Sequence, residues 1–430
     1  MRWPALLPGW RSAPDFSYNP ASQADPTLEP APVETPVRQP TIHALIGLSM
    51  IGYCAFAASR LSVSLAAIHL QAPTVVVGLL LSLYALLPML LSVWLGRWVD
   101  RVGTRRPMLI GLAGLMVSYL VPAVWTELPA LFFNSATAGL CFMMFHICVQ
   151  KLTGEIGDEG DRVRNFGLLG VGYSASGFIG PVSAGWLIDH VGGSRPHAAS
   201  FALSLGLVLL AFGLLRWRLR FVEKVRAQPA GRQASGRVLE LLKTRQLRHL
   251  YVAVVMLASA WELQMFLVPV QGSKVGLSAG QIGMVLGAFS AATFTVRTLM
   301  PLLSRRLTEW QLIGLAQCVS ALVYLAFPLV SSHYGLMALS FTLGLGLGVG
   351  HPSVMALLHK VTPPARLGEA VGLRMAMVTA TQTALPTAFG ALGTALSAVL
   401  TGSLVFAPMF WSIALMVGFG GVSALRKRRD

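Results

Sequence analysis

Gly96-Arg97-Trp98-Val99-Asp100-Arg101-Val102-Gly103-Thr104-Arg105-Arg106-Pro107 is a dense polar knot, four arginines and an aspartate, tied between two long apolar runs. A soluble domain has little use for such a segment there. A helical membrane protein needs one wherever a short loop returns the chain through the basic, cytoplasmic surface of the bilayer.

The rest of the chain agrees. Its 430 residues are 54% hydrophobic and only 12% charged, with a mean hydropathy of +0.65, so the apolar side chains exceed what one globular core can hide. Crossing the hydrocarbon takes about 20 mainly apolar residues. Runs of that length fall near residues 42–69, 75–96, 107–126, 128–150, 164–189, 197–217, 248–270, 279–303, 310–331, 334–359, 367–396 and 400–424. The expected fold is therefore all-α and polytopic, with about twelve transmembrane helices.

A net charge of +16 could signal a polynucleotide partner, but the placement of the charge argues for a membrane. With residue 1 in the cytoplasm, 28 of the 33 Lys and Arg lie in tails, cytoplasmic loops or cytoplasmic span ends. Only Arg195 and Lys274 lie outside, and Arg60, Arg297 and Arg374 lie within spans. The positive-inside rule then puts both termini in the cytoplasm of a plasma membrane, a bacterial inner membrane by expectation, with no nucleic acid as partner. Cys54, Cys141, Cys148 and Cys318 all sit in apolar spans without metal-ligand spacing and read as packing residues. No metal or cofactor is expected. Residues 1–40 carry nine prolines and no compact signal core, which reads as a disordered cytoplasmic tail.

Comparing the chain with itself at an offset of 205 residues aligns Gly78 with Gly283, Gly139 with Gly344, His146 with His351, Pro181 with Pro386, and Gly185 with Gly390. One offset serves several pairs of spans, so the chain reads as two duplicated six-helix bundles, 41–217 and 248–425. A basic connector (218–247) joins them, and a short basic tail (426–430) follows. Parallel halves of this kind place a substrate site near the midplane, between bundles that rock about it.

Twelve spans, two halves, a central cytoplasmic loop and the spacing Gly96-x3-Asp100-Arg101-x-Gly103-x-Arg105 resemble the major facilitator superfamily of secondary transporters. The second-half copy of the loop, Pro301-Leu-Leu-Ser-Arg305-Arg306, keeps only the arginines, and Thr104 stands where the family usually has a basic residue. The resemblance implies gating duties for Gly96, Asp100, Arg101, Gly103 and Arg105, with the aspartate latching the halves in the outward-facing state. Gly177-Phe-Ile-Gly180-Pro181-Val-Ser-Ala184-Gly185 resembles the helix-packing motif of the family's drug/proton antiporters. In it Gly177, Pro181 and Gly185 form one smooth stripe, and Ala184 replaces a family glycine. The arginine that many antiporters carry in span four is absent, its place taken by Ser135.

Ionisable groups inside a bilayer are costly and mark function by default. Arg60, Glu262 and Arg374 lie at intermediate depth, with Tyr53 and Gln382 among their polar company at helical spacing. These five are the substrate and proton-coupling candidates, and Glu262 is the only acidic residue well inside an apolar span. His146 and His351, nearer the cytoplasmic ends of spans four and ten, are gate candidates, with packing as the plainer reading. Arg297 is weighed equally between gating and snorkelling to the interface.

The chain shows no nucleophile, acid/base pair, metal motif or phosphate loop, so it does not read as an enzyme. The expected function is a secondary active, proton-coupled exporter of a small organic or amphiphilic solute, working as a monomer. The alternatives are an importer or exchanger of an organic anion and, in another class, a non-transporting sensor or scaffold.

Overall fold

The protein is described by a computed structural model covering residues 40–156, 161–191, 193, 195–218, 243–363, 366–399 and 405–426. The proline-rich tail, most of the connector and the last four residues lie outside the described residues.

Twelve α-helices follow one another: α1 (Pro40–His69), α2 (Thr74–Val102), α3 (Arg105–Val124), α4 (Leu128–Glu155), α5 (Asp161–His190), α6 (Pro196–Gly213), α7 (Arg245–Lys274), α8 (Ala279–Leu303), α9 (Glu309–Ala326), α10 (His333–Val361), α11 (Leu367–Val399) and α12 (Ala407–Arg426). Local chemistry sets several boundaries. Ser278 and Thr308 each start a helix with a reciprocal capping box, and α4 and α6 open on a proline in the first turn, where its missing N–H costs nothing. Helix α7 begins at Arg245, so the connector gives way to helix before residue 247.

The polar knot is less of a loop than its composition suggests. Helix α2 runs through Asp100 and Arg101 to Val102, and α3 starts at Arg105, so the turn is Gly103-Thr104 alone. Val99 stays buried at this end of α2, which keeps the helix on its packed face. Gly103 ends it at φ +83°, a left-handed conformation that glycine adopts without strain, its N–H donating to the Val99 carbonyl (3.0 Å).

Among the described residues, ten helices are long and apolar enough to cross a membrane by length and composition. The other two, α5 and α11, are rich in Gly, Ser and Thr, and they are the helices that reach across to the opposite half, α5 onto α8 and α11 onto α2. In lipid, apolar side chains gain nothing by leaving the solvent, so small residues that admit close approach hold helices together. Apolarity has given way to closeness there.

The duplication is visible atom by atom. A Cβ added to Gly283 would collide with the Pro181 carbonyl oxygen, and one added to Gly78 with that of Pro386. Gly185 fits against the Ala279 carbonyl as Gly390 fits against that of Thr74, and Gly139 against Tyr84 as Gly344 against Phe289. Every partner in these pairs obeys the same 205-residue offset. On α5 and α11 the close contacts lie toward the end away from the chain termini, whereas Gly167 and Gly372, toward the other end, face open space. The halves meet away from the termini and part toward them.

Candidate functional site

A cavity of about 100 Å³ lies between the halves, walled by Tyr53, Arg60, Tyr173, Trp261 and Arg297 among others from α1, α2, α5, α7 and α8. Arg60 lines it and pairs across the halves with Glu262, which lies beside the cavity rather than in its wall, Arg60 Nη2 donating to Glu262 Oε1. The Glu262 side chain is 2% exposed and that of Arg60 21%, so the carboxylate is nearly dry while the guanidinium borders the cavity. Glu262 Oε2 and Arg60 Nε have no hydrogen-bond partner among the described residues. The pair is joined but half satisfied, a state that costs stability in a low-dielectric site.

The structure holds Arg60 in place from behind. Its guanidinium carbon lies 5.8 Å from the Tyr84 ring centroid, within cation–π range. Tyr84 is fixed in turn by a buried polar cluster: its hydroxyl bonds Ser59 Oγ (2.8 Å) and accepts from Asn134 Nδ2 (2.9 Å), and Asn134 Oδ1 accepts from Ser118 Oγ (3.0 Å). An aromatic wall continues from there, Phe56 stacked on Phe142 at 4.1 Å and Tyr53 tilted on Tyr173 at 4.9 Å.

Arg297 is the residue that sequence reading undervalued. Its Nη1 crosses to the other half, donating to the Gly170 carbonyl and to Ser174 Oγ, both at 2.7 Å. Thr293 and Ser290, one and two turns before it, line the same cavity, so the polar stripe on α8 was the signal. Trp261, beside Glu262 in sequence, also lines the cavity and meets Phe289 and His351 edge-on, at 4.8 and 5.4 Å.

Arg374 does not join Arg60 and Glu262. It sits on α11 outside the cavity lining, its Nη2 donating to Met375 Sδ (3.2 Å), although its charge and that of Arg297 both act on His351. Gln382 is half-buried on α11 and likewise does not line the cavity. Tyr53 does. His146 lies in a second layer behind Tyr173, its Nδ1 bonded to the Tyr173 hydroxyl (2.9 Å) and its Nε2 to Gln150 (2.7 Å). His351 lies in the matching layer behind Trp261.

Of the helix-packing motif, Gly177, Pro181 and Gly185 face α8, while Gly180 faces the Cys54 carbonyl and Ala58 N–H of α1. The stripe and its odd member therefore serve two different neighbours. Asp100, half exposed, accepts a bond from Lys151 Nζ (2.6 Å) inside its own half. Arg101 is exposed, Gly96 faces open space and Arg105 donates to the Arg216 carbonyl (3.4 Å).

Two pseudo-equivalent helical bundles around a charged cavity are the architecture of a membrane solute transporter. The family model for the Major Facilitator Superfamily matches residues 45–261 and again 250–430, and the chain belongs to that family. It is 28% identical over 337 residues to the tetracycline resistance protein, class G, of Vibrio anguillarum, covering 76% of this chain and 82% of that one. It is 22% identical to multidrug resistance protein 2 of Bacillus subtilis (strain 168), over 84% of this chain and 88% of that one. Among solved structures, a POT family transporter in complex with a thioalcohol-conjugated peptide shares the fold with a TM-score of 0.73 at 12% identity, covering 89% and 95% of the two chains. A bacterial homolog of the human lysosomal transporter Spinster, inward-facing and occupied, gives 0.69 at 13% identity, covering 91% and 94%.

Proposed function

We propose that this transporter exports a small organic or amphiphilic solute from the cytoplasm in exchange for protons, and that Glu262 is the site of coupling. Both termini lie in the cytoplasm on this reading, because the basic residues crowd that face, and the protein works as a monomer in the plasma membrane. The observation that carries the proposal is Glu262 Oε2, a buried carboxylate oxygen beside the cavity with no partner among the described residues. A solute N–H or O–H can donate to that oxygen only while it is unprotonated, so solute and proton exclude each other, which is the condition for exchange. Relatives named for tetracycline and multidrug resistance support the outward direction. The energy suffices: a proton supplies about 1.4 kcal/mol per pH unit and about 2.3 kcal/mol per 100 mV.

The test begins with a growth screen of a deletion strain against varied compounds, tetracycline first. Flux and binding of the best hit by purified protein in liposomes follow. Solute affinity should fall as the pH is lowered.

A second reading, an importer or exchanger of an organic anion, is favoured by Arg297. Its hydrogen-bond partners among the described residues, Gly170 and Ser174, are neutral, so a bound anion would relieve a half-buried positive charge. An anion would also draw Arg60 from Glu262 and favour its protonation. Proton and anion would then bind together, and affinity would rise as the pH falls. The sign of the pH effect separates the two readings.

A further inference from the structure

The face away from the termini is closed by two helix N-termini, each capped from the opposite half. At the start of α8, Asp189 from the last turn of α5 accepts the Ala279 N–H on Oδ1 (3.0 Å), and on Oδ2 both the Gly280 N–H (2.8 Å) and the Ser278 hydroxyl (2.6 Å). The other two leading amides of α8 are satisfied within the helix, Ser278 N–H by Gln281 Oε1 (3.0 Å) and Gln281 N–H by Ser278 Oγ (3.3 Å). All the leading donors are therefore met, but two of them only while the halves touch.

The duplicated position behaves alike. Thr394, the offset mate of Asp189, accepts the Val75 N–H at the start of α2 through Oγ1 (2.9 Å). There Pro73, the mate of Ser278, supplies no side-chain cap. Gly280 completes the fit, since a Cβ on it would lie 2.7 Å from Asp189 Oδ2. An internal capping box already stabilises α8. The extra carboxylate comes from the other half, and a cap needed only for helix stability has no reason to be placed there.

We propose that Asp189 and Thr394 are gating residues that set the balance between this state and one open on the face away from the termini, with Asp189 dominant. A carboxylate on a helix N-terminus forms charge-assisted bonds and meets the positive end of the helix dipole, whereas a threonine hydroxyl offers one neutral acceptor. Opening exchanges these bonds for water. Removing Asp189 should therefore shift the equilibrium by about tenfold toward the open form, and removing Thr394 by less.

The test uses the full chain in nanodiscs with Cys54, Cys141, Cys148 and Cys318 replaced. Spin labels go on Gln71→Cys and Lys274→Cys, which border one cavity from opposite halves on this face. Asp189→Ala should raise the population at long distance about tenfold, Asp189→Asn less, and Asp189→Ala with Thr394→Val more than either alone. A distance distribution unchanged in Asp189→Ala overturns the proposal, as does a lowered thermal midpoint with unchanged distances, because either leaves Asp189 a structural cap. If Asp189→Ala does not fold, Gly280→Ala disturbs the same contact sterically with the charge retained, and it must widen the distances or the proposal fails. The inference rests on alternating access and not on export. Widening without proton-dependent flux would sink the export reading alone, and proton-driven flux without widening would sink the gate alone.

Discussion

Replacing Glu262 by Gln removes one charge from beside the cavity while keeping the shape of the side chain. Two quantities follow. Breaking a buried pair by discharging one partner costs roughly 3–5 kcal/mol, and the lower end applies because Arg60 keeps about a fifth of its side chain exposed and still lies over Tyr84. A loss of about 3 kcal/mol lowers the thermal midpoint without unfolding a domain of this size. The coupling effect is larger. With an inward gradient of about one pH unit and about 100 mV, a proton exchanged for a neutral solute supplies about 3.7 kcal/mol, a concentration ratio of several hundred. Glu262→Gln should abolish that accumulation in proteoliposomes and make solute affinity independent of pH, with counterflow of labelled against unlabelled solute slowed because the carboxylate acceptor is gone. Wild-type accumulation by the variant refutes the assignment, as does a solute affinity that still varies with pH.

Arg60→Ala should destabilise more than Arg60→Ala with Glu262→Ala, because the single change strands a nearly dry carboxylate; thermal unfolding in detergent gives the coupling, expected at 1–3 kcal/mol by order of magnitude. Arg297→Gln should weaken an anionic solute about tenfold or more and a matched neutral one little if the anion reading holds, as competition binding on one scaffold with and without a carboxylate would reveal; equal loss for both makes Arg297 a strut between the halves. Gly283→Val should hold α8 away from α5, since even a Cβ collides with the Pro181 backbone, and turnover should fall at least tenfold with expression retained; unchanged turnover would remove this contact from the closing surface.

Twelve helices and their duplication were legible because lipid demands long apolar runs and an internal repeat shows through one offset. The knot from Gly96 to Pro107 was read correctly as a membrane turn, but its polarity concealed that α2 continues past Asp100 on a buried Val99 and stops only at Gly103. Arg60 and Glu262 were found by the cost of charge in hydrocarbon, a rule that needs no geometry. Arg374 satisfied the same rule and stands outside the cavity, since depth along a helix says nothing about the direction the helix faces in the bundle. Arg297 was halved in weight because six residues from a helix end invite a snorkelling reading, whereas the neighbouring half offers it Gly170 and Ser174 as acceptors, both at 2.7 Å. Asp189 escaped notice altogether: its value lies in three donors ninety residues away in sequence, and no local pattern encodes them.

The mated glycine and proline contacts have a consequence for how such a carrier changes over generations. The packed seams come in matched copies, but the three charges in and beside the cavity do not: Met265 stands opposite Arg60 in the repeat, Ala57 opposite Glu262 and Ser92 opposite Arg297. The mechanics are thus encoded twice in the chain, and the chemistry once, on single copies. A lineage can therefore retarget its cargo by editing unmatched positions around the cavity, while the duplicated seams, where a single added methyl group meets backbone, stay under constraint.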